Sequence, residues 1–177
     1  MTKAPDTAQV RTVLVGGLSH GELLARFTEM GVLLNAHAET LLAEALGGGA
    51  SEAEAVSIVE RSVRDLGLPE GGMLPEIYDH AKSEGLRLCP SVTAAHLRLV
   101  TADQASAPDS VLSSGRAPSG SLTVASPRLK EDDDFPAGLY LRVIDDQLWL
   151  RGYTCDDQHV WSADDRFVFR TGDEALI

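Results

Sequence analysis

Apolar residues along this chain recur with two periods, and the switch from one to the other divides it. Leu23, Leu24, Phe27 and Met30 fall at the i, i+1, i+4, i+7 spacing of one helical face. Ahead of them Ser19-His20-Gly21-Glu22 spells a capping box, with Leu18 placed as a staple and Gly31 as the stop. A second helix is expected from an Asn35 cap, burying Ala38, Leu41, Leu42, Ala45 and Leu46 until Gly47-Gly48-Gly49 ends it. Joined by the link Val32-Leu33-Leu34, the two predict a helical hairpin. A third helix is expected from Leu74 to Ser83, with Leu74, Ile77, Tyr78 and Ala81 inward and Gly85 after it.

The other period is two. Thr12-Val13-Leu14-Val15 is a short β-branched run closed by Gly16-Gly17. Residues 55–66 fit either period, and their β-branched content favours a strand from Val56 to Val63. Leu86-Arg87-Leu88-Cys89 alternates, Pro90 ends it, and Ser91 can cap a single helical turn. His96-Leu97-Arg98-Leu99-Val100 alternates again and predicts a strand. Further on, Leu122-Thr123-Val124 is short. Leu139 to Ile144 and Leu148 to Leu150 flank Asp145-Asp146-Gln147 as a hairpin, and Val160-Trp161 and Phe167 to Phe169 flank Ser162 to Asp165 as a second turn. The fold class is therefore α+β, an N-terminal helical hairpin plus a third helix packed on a mainly antiparallel β-sheet.

Composition adds the organisation. Residues 1–10 read as a flexible tail. Residues 101–120 are rich in Ala, Ser, Pro, Asp and Gly and read as a flexible loop or a linker. They separate a helical and mixed region, 11–100, from a β-rich region, 121–177, with which it is expected to form one compact unit. Aromatics make up only 5% of 177 residues, so the core falls to aliphatic side chains.

The net charge is −12, and residues 131–177 carry 4 basic against 12 acidic side chains. A nucleic-acid partner needs a basic face, so none is expected. The first residues hold no apolar signal core, and the longest apolar runs fall far short of the ~20 residues that span a bilayer. No membrane partner follows. Two cysteines, Cys89 and Cys155, suit a reducing compartment, which places the chain in the cytoplasm.

Candidate chemistry is sparse. Gly17-Leu18-Ser19-His20-Gly21 matches G-x-S-x-G, and Ser19, Asp157 and His159 could be written as a hydrolase triad. Only 16 residues precede the motif, too few for the strands of a doubly wound sheet, and the capping box accounts for Ser19 and Glu22 without further assumption. Cys155, Asp157 and His159 are all metal-ligand types, with Cys89, His80 or His96 as extra donors, but lack paired ligand spacing. Between strands, a polar turn explains the same letters. Glu131 to Asp134 lacks the alternation of a calcium loop and reads as a solvated turn. No phosphate-loop or dinucleotide fingerprint occurs, and no cofactor is implied.

Tyr140, Trp149, Tyr153 and Trp161, with Arg142 and Arg151, form the remaining group. They make either an aromatic–Arg binding face or the filling of an aliphatic core. Alternation sets Trp149 and Arg151 on one face and Leu148 and Leu150 on the other. His96 and Arg98 share a strand face in this reading, as an anion site or as a solvated surface.

Three stretches, Ser62 to Gly71, Gly85 to Pro90 with Leu97 to Leu99, and Trp161 to Phe169, resemble uncharacterised bacterial proteins. The resemblance covers residues 18–170, implies a bacterial cytoplasmic protein, and transfers no functional residue. The function expected is a non-enzymatic protein-binding module or adaptor whose partner is another protein. A small-molecule or metal-dependent enzyme and a DNA-binding regulator are the alternatives.

Overall fold

The computed structural model describes residues 10–104 and 121–171. The expected tail and most of the 101–120 segment lie outside the described residues. The described residues are mixed α and β, four α-helices on a large, curled, mainly antiparallel sheet.

The strands are β1 (Arg11–Val15), β2 (Leu33–Leu34), β3 (Glu54–Ser62), β4 (Gly72–Met73), β5 (Leu86–Arg87), β6 (Leu122–Val124), β7 (Gly138–Ile144), β8 (Gln147–Tyr153), β9 (Val160–Trp161) and β10 (Arg166–Thr171). The main sheet runs β1-β3-β10-β6-β7-β8-β2, with β5 also paired to β10. Two pairings, β10 with β6 and β2 with β8, are parallel. Strands β4 and β9 form a separate two-stranded ribbon. The Val160 and Phe167 strands therefore do not make the expected hairpin. Gly71, at φ +84°, carries the chain against the carbonyl of Trp161, and β9 is drawn to β4.

The helices are α1 (His20–Met30), α2 (Ala36–Ala45), α3 (Leu74–Ser83) and α4 (Thr93–Val100). Ser19 and Glu22 complete the predicted capping box of α1, and Gly31 closes it in the left-handed region. Asn35 caps α2 through Ala38 N–H at 2.9 Å. The link between these helices is β2, and α2 lies chiefly against β8 while α1 packs on α4, so the pair is built into the sheet rather than standing as a hairpin.

The fourth helix corrects the sequence reading. His96 to Val100 is not a strand. It is the body of α4, which starts at Thr93-Ala94-Ala95 after a turn at Pro90. His96 and Arg98 imitate an exposed strand face because they are polar, but both are buried and hydrogen-bonded. Helix α4 touches β1 near one end of the sheet and β7 and β8 near the other, which is the curl expressed as contacts.

Both faces of the sheet centre are covered. Val56, Ile58, Val124 and Val168 face a core shared with α1, α2 and α4. Val59, Ala125, Phe167 and Phe169 face a second core with α3 and Trp161. The central strand β10 is accordingly apolar on both sides, as a doubly buried strand must be.

Candidate functional site

Strands β7 and β8 are joined by Asp145-Asp146, with φ of +48° and +64°, the backbone of a type I′ turn. This turn fixes the register as Arg142 opposite Trp149 and Tyr140 opposite Arg151. Strand alternation then sends Leu139, Leu141, Leu148 and Leu150 into the first core. It leaves Tyr140, Arg142, Trp149 and Arg151 on the other side. The predicted separation of Trp149 and Arg151 from Leu148 and Leu150 holds.

On that side the Arg151 guanidinium sits 4.2 Å from the centroid of the Trp149 ring. Both residues are half-buried. Tyr140 is half-buried as well, its ring 6.3 Å from that of Tyr153. Leu33 of β2 pairs in register with Trp149, so it extends the same face, and it is 45% exposed. The sequence reading missed Leu33. Its signal was an apolar run between two capped helices, too short for a helix of its own.

Arg151 differs from five other cations of this chain. Arg64, Arg128, Lys130, Arg166 and Arg170 each pair with a carboxylate. Arg151 makes no hydrogen bond or ion pair among the described residues, and its Nε is buried without a partner.

Three other predicted binding residues lie elsewhere. Trp161 is 5% exposed and packs edge-on against Phe167 at 4.9 Å and Tyr153 at 5.5 Å. It belongs to the second core. His96 accepts the Gly16 N–H at Nε2 over 3.1 Å, which requires a neutral ring, and burial lowers its pKa. Arg98 is fully buried. Its Nη1 donates to Gln104 Oε1 at 2.7 Å and the Trp149 carbonyl at 3.2 Å, and its Nη2 to the Thr101 carbonyl at 2.6 Å. Burial lowers its pKa to about 10, and it stays charged at neutral pH. Neither side chain offers a surface to an anion.

Cys155, Asp157 and His159 do not form a ligand set. Among the described residues no three His, Cys, Asp or Glu side chains converge as a metal site. A cation already stands between two of them, because Arg128 lies 3.7 Å from Cys155 Sγ and 3.6 Å from Asp157 Oδ1. Burial pushes the Cys155 thiol up, partly opposed by Arg128. His159 instead stands edge-on to Trp161 at 5.4 Å. Ser19 Oγ accepts the Glu22 N–H at 3.1 Å, the role of a cap.

A groove of about 480 Å³ runs between α3 and β5, floored by Leu86, Leu88 and Phe169 and rimmed by Asp79, Lys82 and Arg87. Beside it the Tyr78 and Tyr153 hydroxyls are buried, which raises both above the usual phenol range. Among the described residues no helix is long and apolar enough to cross a membrane. No protein-family model, curated protein or solved structure matches this chain.

Proposed function

We propose that this chain is a protein-binding module whose docking face is the outer side of β7–β8 extended by β2, centred on Trp149. One observation carries the reading. An indole and a guanidinium are stacked half-exposed on a rigid strand pair, beside the exposed Leu33, where nothing in the fold requires an aromatic. Trp, Tyr and Arg are the side chains that anchor interfaces, since each presents a large stiff surface with a polar tip. The strands beneath are held by the type I′ turn and by Leu141 and Leu150 in the core, so the face needs no ordering when a partner arrives. Two free thiols suit work in the cytoplasm.

The test is affinity capture from lysate with the wild-type chain and with Trp149→Ala, Arg151→Ala and Leu33→Asp. Each variant should release a partner that the wild type holds, with the circular dichroism spectrum unchanged. Retention of every captured protein by all three would remove this face from consideration.

A further inference from the structure

The same face indicates what its partner presents. Resting on the docking reading above, we infer that the occupant is a short extended segment of another protein bearing a carboxylate, which Arg151 receives.

The argument begins with the guanidinium. Five cations of this acid-rich chain have found carboxylates, and Arg151 has been laid on Trp149 instead, with no hydrogen bond or ion pair among the described residues. Stacking holds the planar group in place and leaves its donors in a fixed fork, the geometry that matches a carboxylate in two parallel bonds. An arginine so pre-oriented loses less rotational freedom on binding than a free surface lysine does.

Local charge favours the same partner. Asp145 and Asp146 are the acidic residues of this strand pair, and they sit at the turn, five residues along the strands from the Tyr140–Arg151 pair. At ~3.4 Å per residue that is roughly 17 Å, beyond the ~8 Å screening length at physiological salt. Arg142, two register steps away on the same side, is only 1% exposed, so Arg151 is the cation this strand pair presents there. Arg151 is thus a half-exposed cation without a carboxylate among the described residues, on a molecule of net charge −12. A nucleic acid would bring its charge along the whole surface and meet the acidic residues, whereas a short peptide carboxylate meets only this patch.

Shape supplies the extended form. Among the described residues the sheet ends at β2, which pairs only with β8 and carries the exposed Leu33 in register with Trp149. An extended segment crossing here can set alternate side chains on Leu33 and Trp149 while its acidic residues reach Arg151.

The experiment titrates the full-length, ¹⁵N-labelled protein with three degenerate decapeptide pools. All three alternate the same apolar residues with Asp/Glu, with Ser/Thr, or with Lys. Single-stranded oligothymidylate is the fourth probe. The acidic pool should shift the Trp149 indole N–H and the Arg151 Nε–H, and bind more tightly than the other probes. Arg151→Ala should weaken it about tenfold, the loss expected for a charge-assisted hydrogen bond. Arg151→Lys should restore only part, and Arg151→Glu should turn the preference to the Lys pool. Equal binding of all pools with Trp149→Ala abolishing it would sink the carboxylate and keep the docking face. No Trp149 shift with any pool would overturn the inference, and if the capture variants also released nothing the docking reading would fall with it. Oligothymidylate binding in place of peptide, lost in Arg151→Ala, would overturn it in favour of nucleic acid.

Discussion

His96 and Arg98 show how a buried polar side chain can disguise an element. With Leu97, Leu99 and Val100 they spell an alternating strand, and only the hydrogen bonds reveal a helix with polar groups turned into the protein. Nothing in the letters says that Gly16 N–H or the Trp149 carbonyl will meet them, because those partners are 80 and 51 residues away. The chemistry of each gives a prediction. The imidazole must be neutral to accept from Gly16, and its pKa is lowered from 6.5, so the unfolded chain binds the extra proton. Stability is whole above pH 6.5 and is lost as the pH falls below it. Urea midpoints measured from pH 8 to 5 should show that decline, and His96→Gln, which accepts without titrating, should flatten it. Arg98→Met leaves several buried carbonyls without donors and should cost about 3 kcal/mol in urea unfolding, since each orphaned group costs about 1–3 kcal/mol.

Elements were legible where they carry their own signals. The α1 capping box, the Asn35 cap, the Gly31 stop and the Asp-Asp turn are local chemistry, and each stands where the sequence puts it. What the sequence leaves out is the pairing. Leu33-Leu34 looks like a link until β8 lies beside it, and Val160-Trp161 looks like half of a hairpin until Gly71 brings up β4. The candidate face was legible in the same measure. Alternation set Trp149 beside Arg151, but the burial of Trp161 depends on Phe167 and Tyr153 from other strands. The seat of α2 on β8 offers a test at this scale. Asn35 caps its own helix and exchanges hydrogen bonds with Gly152, receiving its N–H at 2.8 Å and donating to its carbonyl at 3.0 Å. A Cβ on Gly152 would stand 2.7 Å from the His37 carbonyl carbon. Gly152→Ala should therefore push the helix off the strand and cost about 2 kcal/mol, the scale of overpacking. Asn35→Ala should cost about 1–2 kcal/mol through the lost cap and the orphaned Gly152 N–H. Thermal melts of both variants check this, and a Gly152→Ala melt equal to wild type would contradict the packing described.

For the molecule as a whole, charge and layering pull in different directions. The two cores need only aliphatic side chains and a few rings, and they are buried whatever the solution. The surface carries −12, with the acidic excess heaviest after residue 130. Its ion pairs are mostly half-exposed, and such pairs add little, so mutual repulsion is the larger electrostatic quantity. Raising sodium chloride from 20 to 500 mM should increase the urea midpoint, because screening relieves repulsion more than it weakens the pairs. A falling midpoint would mean that the pairs matter more than their exposure suggests.

The place of β10 bears on how the chain is made. It lies between β3 and β6 and, among the described residues, is the strand that joins β1–β3 to the ribbon of β6, β7, β8 and β2, yet it follows all of them in the sequence. On a ribosome, both halves emerge first and wait with the inner edges of β3 and β6 bare. The protein closes only when Phe167, Val168 and Phe169 come out and slide between them. During that interval the nascent chain is open to proteases and to neighbours with bare edges of their own, and a holdase chaperone would have its greatest effect there.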